Sequence, residues 1–325
     1  MRAAVCREYG QPEVVHVEEF PTPEPGPDQV GVRVHAAAVN YSDVLLVAGQ
    51  YQVKVPPPFV PGSEFAGVVE TVGANVTGVS VGERVFGTGM VGAFGEVAVA
   101  SGAAVTHTPD GIADSVAAAF GVAHRTSYHM LRSVARLQPG EQLVVLGAGG
   151  GVGLAAVQLG AALGATVTAV ASSARKLEVA AANGATHLVD HRANDLRKAL
   201  KETLPGGADV VIDPVGGDLA EPALRSLRWR GRFVTVGYAA GAIPRIPLNL
   251  VLLKGIQIGG MQLRDFGLNA PDELARNERE LIELFAAGKA VPHIGASFTF
   301  DETAAALRYV ADGHAIGKIL LEIAP

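Results

Sequence analysis

The 325-residue sequence predicts an α/β protein in which a doubly wound parallel sheet is inserted into a β-rich, barrel-like domain. Three observations carry that expectation. Residues 142–176 run as strand, glycine cluster, helix and strand. Strand-like and helix-like segments then alternate to about residue 260. Short strands punctuated by Gly and Pro fill the first 120 residues, and mixed structure returns after residue 262.

The elements justify themselves in order. Residues 29–35 alternate apolar and polar side chains, the period of a half-buried strand. The Pro-rich segment 21–27 ahead of them is a loop, because proline removes backbone donors and resists helix. Asn40-Tyr-Ser-Asp43 precedes a short apolar helical patch over 44–48, and the proline run 56–58 makes an irregular crossing. Residues 61–73 read as a turn feeding a strand, and Gly82-Glu-Arg-Val85 and residues 95–99 continue that rhythm. From residue 115 to 134 the spacing is helical.

The glycine stretch organises the rest. An apolar strand over 142–147 leads into Ala148-Gly149-Gly150-Gly151-Val152-Gly153, then a helix to Gly164 and a strand over 166–171. Strand, glycine turn, helix, strand is the order of a unit that holds a dinucleotide pyrophosphate. Glycine is needed where the turn is tight and the backbone must approach the phosphates, and the helix N-terminus offers N–H groups to the anion. Ala148-x-Gly150-x-x-Gly153 departs from G-x-G-x-x-G at its first position. A purely structural turn is therefore a second reading. A membrane span is a third, since no charge falls between Glu141 and Arg175, but the glycines and the charged flanks argue against it.

Beyond the turn, helices are expected over 174–183 and 194–203, with strands over 187–189 and 208–213. Another helix is expected to reach Trp229, ahead of strands over 231–237 and 255–260. Amphipathic helices over 272–287 and 303–312 and a final strand over 317–323 complete the chain.

Composition narrows the class. Hydrophobic residues make up 49% of the chain and 40 are glycine, enough for a large core with many tight turns. The net charge of −6 and the lack of any Lys/Arg block give no attraction for nucleic acid. The single cysteine, Cys6, excludes an intramolecular disulfide and any multi-cysteine zinc site, and reads as a buried, inert thiol. The charged start lacks the apolar core of a signal peptide, so a soluble cytoplasmic protein without membrane partners is expected.

Cofactor choice is read at the far end of the glycine stretch. An NAD site usually places an acid about 20 residues past the turn, on the ribose 2′-OH. Here Ala171-Ser172-Ser173-Ala174-Arg175-Lys176 contains none. Two hydroxyls and two cations suit a 2′-phosphate, so NADPH is expected over NADH. Arg175 and Lys176 also read as solvated charges, although cations at a helix start oppose the dipole.

Taken together, Asn40-x-x-Asp43, Pro61-Gly-x-Glu-x-x-Gly-x-Val69, Gly82-Glu-Arg-Val85, the 147–153 turn, Asp213-Pro-Val-Gly-Gly217 and Gly317-Lys-Ile-Leu-Leu321 resemble the medium-chain dehydrogenase/reductase superfamily. Within it they resemble the zinc-independent, zeta-crystallin-like quinone oxidoreductases, over nearly the whole chain. The resemblance implies a Rossmann domain over 123–262 inserted in a GroES-like domain of residues 1–122 plus 263–325. Zinc alcohol dehydrogenases of the superfamily carry a cysteine near position 40 and Gly-His-Glu where this chain has Gly62-Ser63-Glu64. With Asn40 and Ser63 in those places, no metal is expected.

The resemblance also assigns roles. Ala148, Gly149, Gly150, Gly151, Val152, Gly153 and Gly237 hold the cofactor, with Thr126 touching it from the linking helix. Ser172, Ser173, Lys176 and His191, which replaces a usual tyrosine, meet the 2′-phosphate, with Arg192 beside them. Asn40, Asp43 and Tyr51 line the cleft near the nicotinamide. Tyr51 is the first candidate to orient or protonate an acceptor oxygen and His124 the second. Asn40 and Asp43 read equally as helix caps, and Tyr51 as an ordinary loop aromatic. The implied activity is hydride transfer from NADPH to a quinone or related conjugated carbonyl. An enoyl or alkenal reductase and a catalytically silent NADPH-binding protein are the alternatives. A homodimer formed through residues 256–261 is implied as well.

Overall fold

The computed structural model describes residues 1–323 and divides into two compact units, residues 1–122 with 292–325 and residues 123–291. The first unit opens with an antiparallel pair, β1 (Arg2–Cys6) and β2 (Val15–Glu19). β3 (Gln29–Val39) is its longest strand, and α1 (Tyr41–Val47) follows directly. Then come β4 (Glu64–Val72), β5 (Arg84–Thr88), β6 (Val97–Ser101), β7 (Val105–His107) and α2 (Asp114–Ala118). β3 runs four residues past the expected strand because its apolar end, Ala36 to Val39, pairs with the C-terminal strand as well as with β4.

The second unit takes over within α3 (Gly121–His129), which continues as a π-helical turn over Met130–Val134. Its strands are β8 (Gln142–Leu146), β9 (Thr166–Ala171), β10 (His187–Asp190), β11 (Ala208–Asp213), β12 (Leu227–Thr235) and β13 (Gln257–Gly260). Between them lie α4 (Gly151–Ala162), α5 (Ala174–Ala182), α6 (Leu196–Thr203), α7 (Ala220–Arg225) and α8 (Asn249–Lys254). The order β10-β9-β8-β11-β12-β13 is parallel throughout, with the order reversing between β8 and β11. Every residue of β11 is buried, as expected for a central strand covered on both faces. α9 (Leu263–Asn269) and α10 (Pro271–Ala286) close this unit.

The chain then returns to the first unit with β14 (Ile294–Thr299), α11 (Thr303–Ala311) and β15 (Lys318–Glu322). β15 adds to β3 antiparallel, and the sheet reads β14-β15-β3-β4-β5-β7, with β6 also on β3. Strands from both ends of the chain therefore share one core, in which Val32, Val34, Phe65, Phe94, Ile319 and Leu321 are buried.

Two expectations need correction. Residues 263–291 belong to the parallel-sheet unit, not to the barrel-like one. Side chains of α10 dock on α3: Tyr128 Oη donates to Glu280 at 2.7 Å, Arg125 Nε to Glu278 at 2.8 Å, and buried Asn277 to His129 Nδ1 at 3.0 Å. The helix expected to reach Trp229 ends at Arg225, and β12 begins at Leu227. Leu227-Arg-Trp-Arg alternates with period two, and Arg230 takes a left-handed φ of 62° where the strand bulges before Gly231. No helix among the described residues is long and apolar enough to cross a membrane.

Candidate functional site

The glycine turn sits at the C-terminal end of β8. Gly147 has φ 58°, a conformation that side chains resist. A Cβ on Gly153 would lie 2.1 Å from the Gly147 carbonyl oxygen, so only glycine lets α4 pack so near the strand end. Gly150 caps α4 without a side-chain acceptor, and no acid occupies the first turn. The first N–H groups of the helix thus have no built-in carboxylate competing for them. Ser127, which sequence reasoning did not single out, donates to Val152 O at 2.8 Å and ties α3 to this turn. Thr126 lies beside it in α3, buried.

The neighbouring strand ends build the rest of that rim. Asp213 Oδ1 accepts from Val215 N and Gly216 N at 2.8 Å each and shapes the turn after β11, and burial pushes its carboxyl above the usual range. A Cβ on Gly237 would lie 3.3 Å from Pro214 O, so the end of β12 approaches the same turn. After β9, Ser173 caps α5 by accepting from Lys176 N at 3.4 Å. A Cβ on Gly149 would meet the aliphatic stem of Lys176 at 2.6 Å. Lys176 therefore lies across the glycine turn. Burial and then the nearby Arg192 hold its ammonium below the usual lysine range. His191 follows β10 beside Ser172, its backbone N–H donating to Ala171 O at 3.1 Å. Ser172, Ser173, Lys176, His191 and Arg192 thus converge on one rim, and residues 172–176, directly after β9, include no carboxylate.

In the first unit, the residues near position 40 converge on a cation supplied by the chain itself. Lys318 of β15 is 3% exposed, and its Nζ donates to Glu64 Oε1 at 2.5 Å and to Asn40 Oδ1 at 2.6 Å. Asn40 Nδ2 donates to Glu64 Oε1 at 2.8 Å and to Ser63 Oγ at 3.2 Å, which uses both amide hydrogens. Glu64 Oε2 accepts from Val122 N at 2.7 Å, in the first turn of α3, where a carboxylate complements the helix dipole. Lys318 and Glu64 gained no role from sequence. The one signal was their presence in two of the motifs, Gly317-Lys-Ile and Pro61-Gly-x-Glu.

The candidate catalytic residues sit in different surroundings. Asp43 is fully buried, accepts from Asn40 N at 2.7 Å, and is pushed up to about 7 by burial, against the pull of the Asn40 N–H, Ser63 and Lys318. Its carboxylate is closed off from solvent and holds the Asn40 N–H. His124 is 3% exposed. Gln158 donates its amide to Val291 O and Asn183 Oδ1, which turns its Oε1 toward His124 Nε2 at 3.1 Å. This orientation lets His124 Nε2 donate to Gln158 Oε1. Asn40 and Tyr51 are half-exposed, Tyr51 in the loop after α1 with its N–H donating to Leu45 O at 3.1 Å.

The matches to known proteins agree with this architecture. A family model described as "Alcohol dehydrogenase GroES-like domain" covers residues 26–110, and one described as "Zinc-binding dehydrogenase" covers residues 151–285. Quinone oxidoreductase-like protein 2 of Mus musculus is 36% identical over 99% of this chain and 92% of its own. The quinone oxidoreductase of Pseudomonas aeruginosa is 34% identical over 96% and 97%. This chain belongs to the quinone oxidoreductase branch of the medium-chain dehydrogenase/reductase family. The crystal structure of Escherichia coli quinone oxidoreductase complexed with NADPH superposes with a TM-score of 0.91 at 28% identity, covering 99% of this chain and 100% of that one.

The zinc in one family description finds no matching donor set. Among the described residues no group of three or more His, Cys, Asp or Glu could hold a metal ion. Where Asn40, Ser63 and Glu64 meet, the donors are an amide, a hydroxyl and one carboxylate already paired with an ammonium. Catalytic zinc takes Cys, His and carboxylate ligands, so these residues do not fit it. The buried pair sets an energetic expectation instead. Removing one partner of such a pair costs about 3–5 kcal/mol by stranding the other charge. Lys318→Met and Glu64→Gln should each cost about that much in denaturant unfolding, while the double variant recovers a large part of the loss. Strictly additive losses would show that the two charges do not compensate one another.

Proposed function

We propose that the chain is an NADPH-dependent reductase of quinones or related conjugated carbonyl acceptors, working without zinc. The observation that carries this reading is the rim of Ser172, Ser173, Lys176, His191 and Arg192, which has cations and hydroxyls where an NAD site holds a carboxylate. The NADPH-complexed relative supports the same cofactor.

NADPH, when bound, supplies the hydride. The chain binds and orients it: the 147–153 turn and the first turn of α4 receive the pyrophosphate, Thr126 and Gly237 flank the cofactor, and the basic rim takes the 2′-phosphate. Conversion of a quinone to a hydroquinone also consumes one proton. Tyr51, the half-exposed phenol beyond α1, is the residue assigned to orient the acceptor oxygen and pass it that proton. Asn40 has spent both N–H groups on Ser63 and Glu64, so it meets a ligand only through its Oδ1, held in place by Lys318.

The protein works as a homodimer in this proposal. β13 is an open sheet edge, and Ile258 on it is 42% exposed. Trp229, Leu252 and Leu253 are exposed near it in sequence or in the neighbouring strand, and pairing would cover an edge that is otherwise a liability.

Anaerobic turnover of a simple quinone should proceed with NADPH, and Lys176→Ala should raise the NADPH KM by roughly 10–100-fold, the loss of a charged hydrogen bond, while changing NADH kinetics little. Tyr51→Phe should lower kcat more than it changes the NADPH KM. Binding of NADPH without oxidation across a quinone panel, or equal losses with both cofactors, would contradict the assignment. For the dimer, Ile258→Lys should halve the mass seen by sedimentation. An unchanged mass would place the contact elsewhere.

A further inference from the structure

The basic rim includes the imidazole of His191, and its surroundings are unfavourable to the charged form until an anion arrives. Three elements bring the groups together. Parallel pairing sets Asp190 of β10 against Ala171 of β9, which delivers His191 to the strand end beside Ser172. Asp190 Oδ1 accepts from Arg192 N at 2.8 Å and Ala193 N at 3.3 Å, folding the loop so that Arg192 follows His191 on the rim. α5 supplies Lys176 from its first turn. Burial lowers the His191 pKa below the ordinary histidine range, Asp190 opposes that shift, and the charges of Arg192 and Lys176 add to it. Lys176 is lowered in turn, by burial and by Arg192. The cluster holds three basic side chains against one carboxylate.

We propose that His191 takes up a proton when a 2′-phosphorylated dinucleotide binds, so that the preference for NADPH over NADH depends on pH. This deepens the NADPH reading and rests on it. A dianionic phosphate on the rim favours the imidazolium, which raises the pKa of His191 in the complex above its value in the free protein. Below the free value the ring is already charged and the attraction is fully present. Between the two values binding draws in a proton, and affinity falls by up to about tenfold per pH unit as pH rises. Above the bound value the ring stays neutral and its contribution is lost. NADH carries no 2′-phosphate and has no such linkage. The phosphate's own protonation acts with the opposite sign, because a dianion bound below its pKa, about 6 for a phosphate monoester, releases protons.

Calorimetric titration of the full chain with NADPH and with NADH between pH 6 and 8.5, each in two buffers of different ionisation enthalpy, tests this directly. The expected result is that NADPH selectivity falls by up to about tenfold per pH unit within that range, with net proton uptake for NADPH alone. His191→Gln should abolish the uptake and flatten the selectivity profile while keeping a preference for NADPH through Lys176 and Arg192. NADPH preference with no proton uptake, or with uptake unchanged in His191→Gln, would overturn the role of His191 and leave the cofactor assignment standing. Equal affinity for the two cofactors at every pH would overturn the NADPH reading itself.

Discussion

The first unit depends on one buried contact, the ammonium of Lys318 held between Glu64 and Asn40. Four pieces of chain meet there: the last strand, the junction of β3 with α1, the start of β4 and the first turn of α3. Desolvating a lysine and a glutamate costs several kcal/mol each, and only close pairing with further hydrogen bonds offsets it. The network meets that condition, since Glu64 also accepts from Val122 N and both Asn40 amide hydrogens are used. A consequence follows for chemistry. The orientation of Asn40 is fixed by groups 24 and 278 positions away in sequence, before any ligand binds.

In the second unit the constraint is steric at one end and electrostatic at the other. The close approach of Gly153 to Gly147 O lets α4 begin right at the end of β8. The stem of Lys176 lies over Gly149, so the pyrophosphate turn and the basic rim are one continuous surface rather than two features. This is the placement expected for a ligand at the switch point of a parallel sheet.

Much of this was legible in sequence wherever local pattern and local chemistry agree. The strand–turn–helix–strand of residues 142–176, the missing carboxylate after β9 and the capping geometry of Asn40 and Asp43 are all short-range signals. What escaped was long-range. Lys318 sits in an apolar strand, where a lysine reads as an edge charge, and nothing local says that its partner lies 254 residues earlier. The membership of α10 in the Rossmann unit is decided by the docking of Glu278, Glu280 and Asn277 on α3, which no periodicity encodes. His124 is only the second candidate after Tyr51, with no partner readable in sequence. Its pairing with Gln158 emerges only from the folded packing of α3 on α4.

In the proposed zinc-independent reading, the Lys318 ammonium is held beside Asn40 and Ser63, the positions at which the resemblance puts cysteine and histidine in zinc alcohol dehydrogenases. The chemistry would then need only the nicotinamide and the chain. The most direct test is metal content and turnover on the same preparation. Elemental analysis of the purified protein together with NADPH-dependent quinone reduction before and after exhaustive chelation should show no stoichiometric metal and an unchanged kcat. Stoichiometric zinc, or activity lost on chelation and restored by added zinc, would contradict it.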